Sequence, residues 1–475
     1  MKKAGRANLT EGAVGRTLIK LTIPMFLAIL AMVVFNLVDT AFVGRLGTEE
    51  LAAISFTFPV VLVINSLAGG LGVGASAVIS QAIGKGDRYR VQRLTTDSLG
   101  LSVMVVVVFV SIGLVTIDPL FRLLGATPEV LPLIRQYMTL WYIGVIFVVI
   151  PMVGNAAIRA TGDTRTPATI MMVAAGINII LDPILIFGLG FFPGLGIAGA
   201  ALATVIARAI TLGASLWVLV RRERMVIWSR PKLKEVWASW KQVLYIGLPA
   251  AGTNVLVPIS AAIITGMVAA YGPEAVAALG VGTRVESLAL GVIMALASVL
   301  TPFVGQNWGA GCLDRVRLSA SYVQRFALLW GVLLFILLIA FGRSVALIFS
   351  DDAVVVATLI DYLRIVPLSY GLLGLLMLAT ATLNALNRPL QAALLTLLRL
   401  FLLYVPLALL GSALFGLRGI FGAAAVANCL AGIAAFLWLR SILRGRSLRR
   451  PMSADMEVTG ELSVASHSRD AVYGG

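Results

Sequence analysis

The sequence predicts an all-α integral membrane protein of twelve transmembrane helices, arranged as two six-helix lobes that are related by an internal parallel repeat. Three observations predict this fold class. The chain is 59% hydrophobic and 12% charged, whereas a soluble domain carries about 25% charged residues. Apolar runs of about the 20 residues needed to cross a bilayer recur along the chain, separated by short polar breaks. The sequence also resembles itself at an offset of 225 residues.

The apolar runs place the predicted helices in order. The first six helices cover about residues 17–43, 51–79, 95–117, 132–156, 166–190 and 195–220. The second six cover about residues 243–270, 275–304, 318–342, 355–382, 390–413 and 417–440. The predicted domains are an N-terminal tail (1–16), a first lobe (17–220), a basic linker (221–242), a second lobe (243–445) and a disordered tail (446–475).

Charge sets the predicted orientation. An even number of helices puts both termini on one side, and the loops of that side hold most of the lysines and arginines, including Arg159 and Arg165 between helices 4 and 5. The opposite side has four arginines, Arg45, Arg122, Arg343 and Arg418. Because cytoplasmic loops are the basic ones, we expect both termini in the cytoplasm and the protein in the cytoplasmic (inner) membrane of a bacterium. The net charge of +15 is explained by these loops, and we expect no nucleic-acid partner.

The internal repeat pairs structural residues of the two lobes. The pairs at this offset are Pro24 with Pro249, Gly47 with Gly272, and Gln81-x-x-Gly84-x-Gly86 with Gln306-x-x-Gly309-x-Gly311. Six helices per unit give both copies the same topology, so an axis along the membrane normal relates them. Two like bundles around a central cleft suit a transporter of the alternating-access type. A passive channel would need polar pore rings in both halves, and the repeat has none.

Two carboxylates in predicted helices are candidates for ion coupling, since an ionisable group in the bilayer is costly. Asp39 lies late in helix 1 and Asp182 in helix 5, with Asn178 one turn earlier on the same face. Pro183 frees a backbone carbonyl nearby. Carboxylate, amide and carbonyl oxygens suit Na⁺, and a carboxyl pair suits H⁺. The alternative is that both aspartates lie near helix ends in interfacial water.

The repeat favours the functional interpretation of these aspartates. Asp39 corresponds to Ile264, and Asp182 corresponds to Val405 after a two-residue slip. The carboxylates therefore serve no architecture common to both copies, and we expect ion coupling to reside in the first lobe.

Other charged or small residues receive structural interpretations. Arg284 and Glu286 are candidates for a charge pair in the second lobe, but at i and i+2 they cannot face each other. Glu286 is therefore expected to pair with Arg208, Arg364 or Arg399. Asp97 and Arg135 are expected at the membrane interface. The small residues of 69–75 predict close helix packing.

The sequence gives no reason to expect an enzyme. Its single histidine, His467, lies in the polar C-terminal tail, and neither a Ser-His constellation nor a metal-spaced cysteine cluster is present. We expect no cofactor, with H⁺ or Na⁺ as the coupling ion.

The sequence resembles the multidrug and toxic compound extrusion (MATE) family over about residues 14–445. Ile23-Pro24 and Val38-Asp39-Thr40-Ala41-Phe42-Val43-Gly44-Arg45-Leu46-Gly47 belong to helix 1. The other matching motifs are Gln81-Ala82-Ile83-Gly84-Lys85-Gly86-Asp87, Arg159-Ala160-Thr161-Gly162-Asp163, Asp182-Pro183 and Gly305-Gln306-Asn307-Trp308-Gly309-Ala310. Within the family the chain looks most like the DinF-type branch.

The resemblance implies a cation-coupled antiporter that exports small amphipathic, often cationic, organic compounds, and we expect a monomer in the lipid bilayer. It implies a cation site at Asp39, Asn178, Asp182 and Thr204, in which the first three would ligate Na⁺ if sodium is the coupling ion. It further implies cavity residues Tyr137 and Asn155 and a conformational switch at Pro24. The acidic residue that another branch carries on helix 7 is replaced by apolar sequence near Val257. The alternative function is a lipid-linked oligosaccharide flippase, which would need a cationic central cavity.

Overall fold

A computed structural model describes residues 9–43, 48–188, 194–229 and 232–445, without the side chains of 37, 40, 41, 43 and 48–55. The described chain is helical. The helices of its first half are α1 (Val14–Val43), α2 (Thr48–Lys85), α3 (Arg88–Leu123), α4 (Leu131–Gly144), α5 (Ile146–Ala160), α6 (Arg165–Phe187) and α7 (Ile197–Trp217). Those of its second half are α8 (Leu233–Ala269), α9 (Pro273–Ala289), α10 (Gly291–Gly309), α11 (Leu313–Phe349), α12 (Ala353–Ile365), α13 (Tyr370–Ala385), α14 (Pro389–Leu397) and α15 (Val405–Arg444).

Three irregular stretches interrupt or extend these helices. Val218–Arg222 and Leu398–Tyr404 are π-helical and follow α7 and α14, and Val366–Ser369 is a 3₁₀ turn between α12 and α13. The described residues up to Ala435 form one compact unit, and those from Phe436 onward belong to a second. In the described part of that second unit, the Arg440 guanidinium lies 5.9 Å from the centroid of the Phe436 ring.

Among the described residues, 11 helical stretches are long and apolar enough to cross a membrane. The last of them, Pro389–Arg444, has 56 residues, which as a straight helix would be about 84 Å long. It breaks at Gly416, where φ is 60° and ψ is −142°. The backbones of Gly411 and Gly419 touch, so the chain folds back on itself between them.

The predicted basic linker is shorter than the sequence indicated, because α8 begins at Leu233 instead of about residue 243. The first turns of α8 are polar, so the hydropathy pattern does not indicate a membrane helix there. They are held as a helix by α3, on which Trp240 donates its indole N–H to the carbonyl of Asp97 over 2.9 Å. The Tyr89 hydroxyl also donates to Glu235 at 3.0 Å.

Asp97 is buried, which corrects its predicted place at the membrane interface. It accepts from Arg93 one turn earlier, with 2.9 Å between Arg93 Nε and Asp97 Oδ2, and both side chains are only 3% exposed. The prediction was wrong because α3 begins at Arg88, so both residues lie inside the bundle under the start of α8. Arg135 is more exposed and pairs with Asp118.

Breaking this ion pair is expected to destabilise the fold. In Asp97→Leu the Arg93 guanidinium would stay buried without its counter-ion, which costs about 3–5 kcal/mol. Replacing both partners, as in Arg93→Met with Asp97→Leu, should recover most of that loss because no charge remains to be desolvated. Denaturant unfolding of the detergent-solubilised protein measures the free energy of unfolding of the single and the double variant. Equal losses in the single and double variants would contradict this account.

The two halves pack closely at glycines, as the small residues of 69–75 predicted. Helix α2 lies along α8 and α10. A Cβ on Gly70 would overlap the backbone carbonyl of Gly247, and one on Gly74 would overlap that of Val243. The glycines therefore allow helices of opposite halves to approach backbone to backbone.

The segment before α1 is anchored on the second half. Leu9 is fully buried, and its carbonyl accepts from Asn307 at 3.0 Å and from Arg315 at 3.1 Å. Arg315 also donates to the carbonyls of Glu11 and Gly12. The start of α1 is therefore tied to α10 and α11.

Candidate functional site

The predicted acidic residues meet inside the first half. Helix α6 packs against both α1 and α7, which brings Asp39 of α1 next to Asp182 of α6. Asp182 is fully buried, and neither of its carboxylate oxygens accepts a hydrogen bond from an N–H or O–H group of the described chain. The carboxyl of Asp39 lies close enough to that of Asp182 for the two groups to interact electrostatically. Since ionised carboxylates only accept, the two can bond to each other only when a proton lies between them.

Asn178 and Thr204 extend this site. The Asn178 side chain is buried one turn before Asp182, and its amide nitrogen donates to the Thr204 hydroxyl at 3.4 Å. This bond leaves Asn178 Oδ1 without a donor. Three buried oxygens, two from Asp182 and one from Asn178, are therefore free to receive a proton or to ligate a small hard cation.

The remaining residues predicted for the first half lie at different distances from this pair. Tyr137 of α4 is close enough to Asp39 for the two groups to interact electrostatically. Asn155 is buried in α5 and its Oδ1 accepts no hydrogen bond from the described chain. Pro24 lies inside α1, about four turns before Asp39, where its missing N–H weakens the helix.

Glu286 forms a different contact from the ion pair that the sequence suggested. The Tyr362 hydroxyl donates to it at 2.9 Å, and no salt bridge to Glu286 occurs among the described residues. Arg399 instead donates to Asn428 at 3.0 Å, and Asn428 donates to Ser369 at 3.0 Å. Arg284 is exposed on α9. The expected ion pair is replaced by hydroxyl and amide contacts, because α12 supplies Tyr362 to Glu286 and α15 supplies Asn428 to Arg399.

The repeated glutamine motif forms a reciprocal contact between the halves. Gln81 of α2 donates to the carbonyl of Ala385 at 2.8 Å, and Gln306 of α10 donates to the carbonyl of Ala160 at 2.7 Å. The two donors are equivalent in the repeat, and so are the two acceptors. We call this pair of hydrogen bonds the glutamine clasp. It lies where α2 and α10 end, which we call the basic end of the bundle because α3 and α11 begin there with arginines.

Two glycines make the clasp possible. A Cβ on Gly84 would overlap the carbonyl of Gln306, and one on Gly309 would overlap the carbonyl of Gln81. Each glycine therefore admits the backbone of the opposite half at the point where the helices cross. The sequence marked these positions as repeated but gave no sign of what they contact.

A cavity of about 390 Å³ lies between the halves beside the clasp. Its walls come from α2 and α5 of the first half and from α8, α10, α13 and α14 of the second. Arg159, which was predicted in a loop, lies within α5 and lines this cavity. Arg159 was missed because a basic residue near a helix end looks like an orientation signal. Its equivalence to Asn384, another wall residue, was the available clue.

Comparison with known proteins identifies relatives over most of the chain. The family model MatE matches the chain twice, over residues 24–184 and 249–410, so the two matches begin at the repeated prolines. A Shewanella oneidensis protein named FAD transporter is 42% identical over 431 residues, which are 91% of this chain and 95% of that protein. The multidrug export protein MepA of Staphylococcus haemolyticus is 26% identical over 436 residues, 91% of this chain and 94% of its own.

The fold has a solved counterpart of similar extent. The crystal structure of the Vibrio cholerae MATE transporter VcmN in the bent form matches with a TM-score of 0.86 and 33% sequence identity. The match covers 91% of this chain and 97% of that one. It therefore includes both halves.

Proposed function

The chain belongs to the MATE family of multidrug efflux transporters, and from that premise we propose that it is a cation-coupled antiporter that exports organic compounds across the bacterial cytoplasmic membrane. One observation carries the coupling. The carboxyls of Asp39 and Asp182 are close enough to interact electrostatically, and Asp182 is buried with no hydrogen-bond donor among the described residues. Such a pair binds a proton between its carboxyls, whereas Na⁺ would use the free oxygens of Asp182 and Asn178.

The proposed cycle couples this pair to the arrangement of the halves. Binding of an external cation neutralises the Asp39/Asp182 site, and α1 rearranges around Pro24. The clasp then opens, the cation is released to the cytoplasm, and the substrate binds between the halves. One charge moving through 150 mV supplies about 3.5 kcal/mol, which supports roughly a 300-fold gradient of a neutral compound at one-to-one stoichiometry.

The topology that we propose has twelve crossings in two lobes. The break at Gly416 and the contact of Gly411 with Gly419 support two crossings within Pro389–Arg444. Lys and Arg at the basic end support a cytoplasmic location of that end by the positive-inside rule. Because the glutamine clasp joins the halves at this end, we propose that this arrangement is an outward-facing state.

For the exported compound we propose a flavin nucleotide. The relative named FAD transporter is 42% identical, against 26% for the multidrug exporter MepA. The cavity beside the clasp has no acidic wall residue among the described residues, so it suits an anion better than an organic cation. Cationic drugs are the second candidate, on the strength of the multidrug relatives. A lipid-linked oligosaccharide flippase would need a strongly cationic cavity, and Arg159 alone supplies that charge among the described wall residues.

Proteoliposomes test the proposed function. Purified protein in vesicles is given FAD or ethidium on the side of the basic end, and transport is followed under a pH gradient, a Na⁺ gradient or no gradient. We expect FAD transport that needs one of the two gradients. Transport of ethidium but not FAD would select the second candidate. Equal fluxes with and without gradients would contradict antiport.

A further inference from the structure

Most of the lining of the cavity beside the clasp is apolar, but each of its six helices contributes at least one polar side chain. Hydroxyl and amide groups reach it from both halves, among them Ser76, Asn254, Thr380 and Asn384. Its volume of about 390 Å³ falls within the range of small-molecule sites, about 300–1,000 Å³. The wall can therefore bind a ligand with many hydrogen-bond acceptors.

Arg159 is the ionisable residue of this wall, within the part of the chain that the structure describes. Its Nε atom is buried and has no hydrogen-bond acceptor, and it forms no salt bridge with a described residue. The Arg159 side chain is only partly exposed, so an anion that pairs with its guanidinium would offset part of the cost of desolvating the charge. Its fork of N–H donors matches the oxygens of a phosphate.

Two other wall residues carry polar atoms without partners. The hydroxyl of Ser76 and the amide oxygen of Asn384 are buried and form no hydrogen bond; of these two atoms only the hydroxyl can donate to an anion, and Asn384 would have to use its amide nitrogen. Ser76 lies on α2, in the same half as Arg159, while Asn384 lies on α13 in the opposite half. An anion bound at Arg159 can accept from the Ser76 hydroxyl and from the Asn384 amide nitrogen, and it would then bridge the halves.

The repeat shows that this charge does not serve the shared architecture. Arg159 and Asn384 are equivalent in the repeat, and each directly precedes a clasp acceptor, Ala160 and Ala385 respectively. The clasp needs only the backbone at these positions. One half has a guanidinium where the other has an amide, so the clasp does not determine the residue type at this position.

We infer that Arg159 binds the phosphate group of an organic phosphate substrate, with Ser76 and Asn384 as additional ligands. The inference rests on the proposed export function and names its recognition element. Because the clasp fixes Ala160 and Ala385, opening it changes the separation of Arg159 and Asn384. Phosphate binding is therefore tied to the position of the halves.

Flavin binding to the purified protein in nanodiscs tests this site. FAD and riboflavin share the fluorescent ring, but only FAD carries phosphate. In Arg159→Gln we expect FAD to bind about 10- to 100-fold more weakly, since a charge-assisted hydrogen bond is lost. Riboflavin affinity should be unchanged. Arg159→Lys should retain part of the FAD affinity, and millimolar inorganic phosphate should compete with FAD in the wild type but not in Arg159→Gln.

The matched control is Arg165→Gln, which removes the same charge from an exposed position on α6 outside the cavity. It should bind FAD like the wild type, and the melting temperatures of both variants should agree with that of the wild type. Equal weakening of FAD and riboflavin, or no weakening, would overturn the inference. If Arg159→Gln binds FAD with normal affinity while the wild type shows gradient-driven FAD transport, the phosphate site is refuted but the proposed function stands. If Arg159→Gln loses FAD affinity but the wild type shows no gradient-driven transport, the proposed function is refuted but the phosphate site stands.

Discussion

Replacing both Asp39 and Asp182 by asparagine is expected to reduce gradient-driven export to the rate of protein-free liposomes. An amide has nearly the shape of a carboxyl group but does not take up and release a proton in each cycle. It also lacks the charge that holds Na⁺ among neutral oxygens. Each single variant should lose coupling as well, because the two carboxyls share one site. The measurement is substrate flux in proteoliposomes under the gradient that drives the wild type.

The control for this prediction removes a carboxylate elsewhere. Asp361→Asn on α12 breaks a contact of 2.7 Å with Arg418, which is 71% exposed, and an exposed pair contributes only about 0–1 kcal/mol. Its transport should match the wild type. If the double aspartate variant is folded and still concentrates substrate against a gradient, the coupling site is elsewhere.

The second large effect is expected from a single methyl group at the clasp. In Gly84→Ala or Gly309→Ala the new Cβ would overlap a backbone carbonyl of the opposite half, and backbone cannot rotate away as a side chain does. Overpacking of this kind costs about 1–3 kcal/mol, which corresponds to a population shift of roughly 5- to 150-fold away from the clasped state. We expect transport to fall accordingly.

Spin labels separate this effect from misfolding. Labels at Tyr89 of α3 and Leu318 of α11, with Cys312 and Cys429 replaced by serine, report the distance between the halves at the basic end. The glycine variants should show a longer mean distance. Gly100→Ala is the matched control, because a Cβ at this exposed position of α3 meets no other atom. Unchanged distances in Gly84→Ala and Gly309→Ala would contradict the steric account.

Much of the architecture could be predicted because the membrane imposes simple rules. Each apolar run had to become a helix, since lipid offers no partner for backbone N–H and C=O groups. The family was confirmed, and the two matches of its model begin at the same prolines that defined the repeat. Asp39 and Asp182 were recognisable because a carboxylate in an apolar run is rare, and the structure places them side by side.

The features that were missed depend on contacts between distant segments. Gln81 and Ala385 lie far apart in sequence, and no local pattern tells which carbonyl a glutamine reaches. Asp97 was misplaced for the same reason, because its burial depends on α8 covering the start of α3. Arg159 was read as a loop residue, since hydropathy does not distinguish a basic group facing a cavity from one facing water.

The glutamine clasp has the form of a subunit interface. When each partner gives the same donor and receives at the same acceptor, the contact is isologous, as in a two-fold symmetric dimer. A six-helix ancestor could therefore have formed the clasp by pairing with a second copy of itself, before duplication joined the copies in one chain. Once joined, each copy could vary its cavity independently while still supplying one glutamine and one carbonyl. We therefore expect two halves that are expressed as separate polypeptides to associate through the same surface.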